Sequence, residues 1–345
     1  MARQASEDEN DKAHPRATAV LFGHAQAEAA LLAAYRSARM PHGFLLAGPK
    51  GIGKATLAYR MARFVFAHPD PSDRAVQSAT SLEIDAENPV ARRIVAQAQP
   101  DLLVIERTAN ERGVLHKQIA VEDIRRTIPF FGSTAGEGGW RIAIVDAVDD
   151  LNRSGANALL KVLEEPPERA LILLVSHSAA RVPATLRSRC RIVTLRPLDE
   201  SDVAGAAALV TGSSAGDPDI VAAAAAADGS VARTLAFLDK GALALRQQAL
   251  DLLNRLPVLD AKGLHALGDA LAGTDPQPFV AFLDTINDWL SRRLNGGHAE
   301  LPRLARLAEA SERINVSARD AETYNLERKP LVFSVFGLLA EATRG

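Results

Sequence analysis

The run Gly48-Pro49-Lys50-Gly51-Ile52-Gly53-Lys54 constrains this chain more than any other feature, because it has the form G-x-x-x-x-G-K. It follows GFLLAG, a short apolar run that reads as a buried strand. It opens ATLAYRMARFVF, which reads as a helix with Leu57, Met61, Phe64 and Val65 inward. In that setting glycines let the backbone curl so that its N–H groups face phosphate oxygens, and the helix adds the positive end of its dipole. Lys54 then reaches the β and γ phosphates. The plainer alternative is a glycine-rich turn followed by a surface lysine, and the strand and helix on either side favour the phosphate loop.

The remainder of the first half extends the same pattern. HAQAEAALLAAYRSAR carries Leu31, Leu32 and Tyr35 at helical spacing. DLLVIE, RIAIVD, ALILLVS and RIVTL read as further strands, and RSGANALLKVLEE reads as a helix stopped by Pro166 and Pro167. Short apolar strands separated by helices imply a mostly parallel sheet covered on both faces, an α/β fold. Between His68 and Pro100 the chain is polar until PVARRIVAQAQ, which has helical character. After Pro197 helical periodicity dominates. One segment runs from Ser201 to about Asp239, with Gly229 as a stop, and a second begins near Ala242. Phe279, Phe282, Leu283, Ile286, Trp289 and Leu290 form one apolar stripe, either plain core or part of a contact surface.

Composition narrows the class. Lys and Arg total 40 against 42 Asp and Glu, for a net charge of −2, which argues against a protein that coats DNA by charge alone. The one cysteine, Cys190, permits no internal disulfide and no sulfur-ligated zinc, so the expectation is a reducing, cytoplasmic setting. Residues 1–18 are polar and acidic without the apolar core of a signal peptide, and read as a disordered tail. No apolar run is long enough to span a membrane.

The nucleotide motif departs from a working one in two places. Ala55 stands where Ser or Thr would hold Mg²⁺, and Thr56 is one position late, about 100° around the helix. Ile142 to Asp146 is an apolar strand ending in an aspartate suited to Mg²⁺, but Ala147 follows where ATP-hydrolysing relatives carry a Glu that polarises water. Asp149 and Asp150 are off register and read as solvated residues before the next helix.

NALLKVLEEPP (157–167), then LILLVSHSAARVPATLRSRC (171–190), together with HGFLLAGPKGIGKATLAYRMARF, resembles the AAA+ clamp-loader subunits of bacterial DNA polymerase III. NLERK (325–329) extends the likeness weakly into the helical part. The resemblance implies an AAA+ domain over 19–197, a helical lid over 198–240 and a helical collar over 241–345. It implies that Arg189, in Ser188-Arg189-Cys190, is an arginine finger acting on ATP held by a neighbouring subunit, where such a group can be worth about 10³ to 10⁵ in rate. The plain alternative is a structural arginine at a helix end. The resemblance also puts Ser176 at the first sensor position, a capping serine being the alternative, and leaves Arg233 one place late for the second sensor, with Ala232 at its place. Many relatives carry a four-cysteine zinc module where 68–100 has no cysteine, so no zinc and no other metal site is expected.

The reading implied is a non-hydrolysing subunit of a DNA polymerase III clamp loader, with no required cofactor and at most weakly bound ATP or ADP. Gly48, Gly51, Gly53, Lys54, Ala55, Thr56 and Asp146 form its degenerate nucleotide site. Its partners would be gamma/tau and delta-type loader subunits and, through the assembly, the sliding clamp and primed DNA. The alternative is an active P-loop ATPase of a clamp loader or another AAA+ motor. A DNA-binding regulator ranks below both, because no recognition helix is visible and the basic points in RTIPFF and RRL read as solvated faces.

Overall fold

The structure, a computed structural model, describes residues 14–37, 40–109, 116–132, 139–238, 241–273, 277–295, 301–324 and 326–344. The chain divides into two compact units, Met1–Thr234 and Leu235–Gly345.

The first unit is built on five parallel strands: β1 (Gly43–Ala47), β2 (Leu102–Glu106), β3 (Arg141–Asp146), β4 (Ala170–Ser176) and β5 (Arg191–Thr194). Their order across the sheet is β2-β3-β4-β1-β5. Alternation along the strands sends each residue set to one face. Phe44, Leu46, Ile142, Ile144, Leu171, Leu173 and Val175 pack with α1 (Ala25–Arg36) and α2 (Lys54–Ala67). Leu45, Ala143, Val145, Ile172 and Leu174 pack on the other face against Leu159, Val162 and Leu163. Both faces are therefore apolar, as helices above and below a parallel sheet require. Leu57, Met61, Phe64 and Val65 of α2 are buried as the spacing predicts.

Two short helices, α3 (Arg74–Ser78) and α4 (Pro89–Val95), fill the polar stretch after α2. Asn88 caps α4 by accepting from the Val90 N–H at 2.9 Å. Two more, α5 (Val121–Arg125) and α6 (Thr127–Gly132), precede β3. In RTIPFF the basic point is solvated as expected, while part of the run turns inward. Thr127 and Phe131 are buried, and the Thr127 hydroxyl donates to Ile124 O at 2.7 Å. Arg126 is exposed, as expected of the basic point, and so are Ile128 and Pro129.

Helix α7 (Arg153–Glu164) connects β3 to β4, and a short α8 (Ala184–Arg187) leads into β5. Residues 14–18, the described part of the stretch read as polar tail, lead into α2 contacts: Arg63 Nη1 donates to Thr18 O at 2.9 Å, and Arg60 Nη1 to the next residue's carbonyl, Ala19 O, at 2.5 Å. Beyond β5 come α9 (Glu200–Thr211), α10 (Pro218–Ala226) and α11 (Val231–Leu238), the last crossing the division between units. The single segment predicted from Ser201 is thus broken twice. Gly212 ends α9 in the left-handed conformation at φ 69°, and Gly229 at φ 79° precedes α11. The expected end at Asp239 lies outside the described residues.

The second unit is helical: α12 (Ala242–Asn254), α13 (Ala261–Leu271), α14 (Gln277–Asn295), α15 (Leu301–Tyr324) and α16 (Arg328–Thr343). Phe279, Phe282, Ile286, Trp289 and Leu290 lie in its core with Leu267, Ile314 and Phe336. The apolar stripe around Trp289 is therefore interior. Of the stripe only Leu283 is partly exposed, which favours the plain-core alternative over a contact surface. Arg293 stacks on Trp289 with its guanidinium carbon 4.2 Å from the ring centroid. From the NLERK run, Lys329 Nζ reaches Asp269 Oδ1 at 2.5 Å and Arg328 Nη1 donates to Gly273 O at 2.8 Å, fixing the start of α16 against α13.

Phe282 is fully buried beside Phe336, at a centroid distance of 6.5 Å. Phe282→Ala is expected to cost about 3–5 kcal/mol in the second unit. Urea unfolding followed by Trp289 fluorescence checks this; a loss under about 1 kcal/mol would contradict the assigned core.

Candidate functional site

The site is assembled at the carboxyl ends of the strands, where ligands of open parallel sheets bind. Ala47 pairs with Ser176 across β1 and β4, and Asp146 pairs with Glu106 and Val175. This register sets the phosphate loop, Asp146 and Ser176 side by side, as the motif spacing requires.

The loop itself has the backbone of an anion cradle. Gly51 and Gly53 take φ of 79° and 100°, which residues with a Cβ adopt only with strain. A Cβ on Gly48 would stand 2.4 Å from Leu195 O, and one on Gly51 would stand 2.3 Å from Ser230 Oγ. The loop carbonyls are tied to protein. Ile52 O accepts from His24 Nε2 at 2.6 Å, Lys50 O from the Ser230 hydroxyl at 3.0 Å, and Gly51 O from the Ala232 N–H at 3.3 Å. The N–H groups of Lys50, Gly51, Ile52 and Gly53 donate to no acceptor among the described residues. Carbonyls anchored and amides unspent is the donor pattern of a phosphate nest.

Lys54 is buried, with 3% of its surface exposed, and its ammonium donates to Pro49 O. Burial pulls its pKa down to about 8, and Asp146 opposes that shift. Asp146 is pushed up to about 6 by burial, against the pull of Lys54, with Glu106 and Asp150 adding repulsion. Both partners agree in sign: each charge is desolvated, and the other offsets only part of the penalty. Ala55 and Thr56 stand in the first turn of α2, partly exposed. Asp146 is then the one carboxylate of the predicted set available to Mg²⁺. The residues suit the phosphates of a nucleotide and fit a magnesium ion poorly. No group of three or more His, Cys, Asp or Glu side chains able to hold a metal occurs among the described residues.

Asp149 corrects the sequence reading. It is not a solvated residue but the acceptor that ties down the end of β4. Its carboxylate receives the His177 N–H at 2.7 Å, the Ser178 N–H at 3.3 Å and the Ser176 hydroxyl at 3.3 Å. Asp150 is likewise engaged, paired with Arg107 at 3.1 Å. Ser176 is fully buried, and its Oγ also accepts from the Ser178 N–H at 3.1 Å, so it caps its own turn as well as meeting Asp149. His177 is held neutral, its pKa lowered to about 4 by burial and by Lys54. His24 and Ser230 carried no signal in the sequence, because neither stands in the motif; both hold the loop from distant parts of the chain. Arg233 pairs with Asp228 at 3.2 Å.

Arg189 lies elsewhere. It precedes β5, whose Arg191 pairs with Phe44 near the start of β1, and its carbonyl stands 3.6 Å from the Cβ position of Gly43. The phosphate loop leaves the other end of the same strand, about 16 Å away at the strand rise per residue. Cys190 fixes this turn. Its Sγ stands 3.1 Å from the Gly43 Cβ position, and burial pushes the thiol up to about 11, so it serves packing and not reactivity. The Arg189 side chain is exposed beside Glu164 and Thr185.

Comparison with known proteins supplies the context. A family profile described as DNA polymerase III, delta subunit, matches residues 23–199. The DNA polymerase III subunit delta-prime of Pseudomonas aeruginosa is 33% identical over 153 residues, 44% of this chain and 42% of that one. Its counterpart in Escherichia coli is 28% identical over 170 residues, 49% of this chain and 47% of that one. The tau/gamma subunit of Haemophilus influenzae is 29% identical over 255 residues, 72% of this chain and 34% of its own length. The chain thus spans under half the length of each of these relatives.

The buried Lys54–Asp146 arrangement makes stability depend on pH. Asp146 ionises in the unfolded chain near its ordinary 3.8 but near 6 when folded. Its contribution is therefore favourable below about pH 4 and is lost as pH rises through 6. Asp146→Asn is expected to flatten the urea-midpoint profile between pH 4 and 6, each variant being referred to its own midpoint at pH 4. An equally steep profile in the variant would show that Asp146 is not the group responsible.

Proposed function

Since this chain belongs to the DNA polymerase III, delta subunit family, we propose that it works in the clamp loader as a subunit that does not hydrolyse ATP and that lends Arg189 to a neighbour. Relatives named as delta-prime and tau/gamma subunits of DNA polymerase III support a place in the clamp loader. The finer reading rests on one observation: the two ends of the sheet carry different halves of an ATPase site. At the carboxyl end a phosphate loop keeps its amides and Lys54 but has Ala55 in place of a metal-holding hydroxyl and Ala147 in place of a water-polarising carboxylate. At the amino end an exposed arginine lies far beyond reach of that loop.

The chemistry follows from what each end retains. The loop binds the phosphates of ATP or ADP weakly and without dedicated magnesium ligands. Loss of a general base alone commonly costs about 10² to 10⁴ in rate, and loss of the metal hydroxyl compounds it. Arg189 is permanently charged and forked, so it can stabilise charge on a γ-phosphate presented by another subunit. The partners on this reading are gamma/tau and delta-type subunits, and the sliding clamp and primed DNA are met through the assembly.

The lone chain is expected to hydrolyse ATP at background level, with no change on Lys54→Ala. Within a reconstituted loader, Arg189→Ala is expected to slow DNA-stimulated hydrolysis at the site it serves at least about ten-fold, a conservative bound below the about 10³ to 10⁵ that such arginines can be worth, while the complex still assembles. Turnover by the lone chain that disappears in Lys54→Ala would make it an ATPase in its own right. Undiminished hydrolysis in the Arg189→Ala complex would remove the arginine from the mechanism.

A further inference from the structure

We infer that Glu164, the last residue of α7, is a positioning residue for Arg189; the inference rests on the reading of Arg189 given above. Arg189 Nη2 lies 2.8 Å from Glu164 Oε1. Arg189 Nη1 donates to Thr185 O at 3.0 Å and stands 3.4 Å from Ser188 Oγ. The guanidinium is thus held from two sides, by the end of α7 and by α8. Its Nε donates to no acceptor among the described residues. A phosphate can meet that nitrogen while the carboxylate and the carbonyl keep the plane of the fork in place.

An exposed arginine loses considerable rotamer freedom when it binds, and a partner that orders it beforehand removes part of that cost. Glu164 is suited to this because its own backbone is pinned. It ends α7 immediately before the Glu165-Pro166-Pro167 stop, and Leu163 beside it is buried in the sheet-facing core. The pair is about one-third to one-half exposed, 37% for Arg189 and 48% for Glu164. Its strength is therefore modest, enough to bias a side chain and too little to hold it away from a phosphate.

The test is a double-mutant cycle in the reconstituted loader, using Glu164→Ala, Glu164→Asp, Arg189→Ala and the double variant Glu164→Ala with Arg189→Ala. Glu164→Ala is expected to lower kcat for DNA-stimulated ATP hydrolysis about two- to five-fold, the range an exposed ion pair supports, with KM for ATP unchanged. Glu164→Asp is expected to recover part of the loss, and Glu164→Ala to add nothing once Arg189 is gone. An unchanged or faster Glu164→Ala loader would overturn the inference, and so would an equal slowing in the Arg189→Ala background. If Arg189→Ala itself has no effect, the finger reading fails and this inference with it; a slowed Arg189→Ala loader with an unaffected Glu164→Ala loader removes only Glu164.

Discussion

Everything distinctive about the first unit depends on β1 being held between β4 and β5. Parallel pairing aligns Ala47 with Ser176 and with Thr194, so the chain leaves β1 into the phosphate loop next to the ends of two other strands. The same pairing puts Phe44 beside Arg191 at the far end, which places the Arg189 turn there. One hydrogen-bonded ladder thus separates the glycine-rich loop from the Arg189 turn by the length of a strand. Parallel strands have this consequence because every strand must be re-entered from the same side, so turns before strands and turns after strands gather at opposite edges.

The carboxyl edge is held by polar groups buried at some energetic cost. Lys54 and Asp146 are both taken out of water, and each is shifted toward its neutral form despite the other. Asp149 then secures the adjacent turn by accepting from two backbone N–H groups and one hydroxyl. His24, Ser230 and Ala232 hold the loop carbonyls from behind. The result is a loop whose carbonyls are tied to protein, with its amides left as the unused donors.

The contrast between the two halves of the site explains what could be read without coordinates. The phosphate loop, the five strands, the buried face of α2 and the missing groups at Ala55 and Ala147 were legible, because each is a local pattern: a glycine spacing, an apolar run, a residue next to a lysine or an aspartate. Asp149 was misread because two adjacent aspartates before a helix look solvated, and only the return of β4 alongside β3 brings the 176–178 turn over them. In RTIPFF the basic residue stays in water as expected, and only the fold turns Thr127 and Phe131 inward. The break at Gly212 was passed over because the alanine-rich composition continues across it.

Amino-acid order alone determined the α/β class, the location of the glycine-rich loop and the helical character of the described residues after Pro197. These rest on periodicity and on backbone restrictions that act within a few residues. Only the tertiary structure decided that the Trp289 stripe is interior, that Ser230 and His24 support the loop, and that Glu164 meets Arg189. Those pairs lie 180, 28 and 25 positions apart for Ser230 with Lys50, His24 with Ile52 and Arg189 with Glu164. No local pattern encodes such meetings; they follow from which strand edges pair and which helix faces are left to close over them.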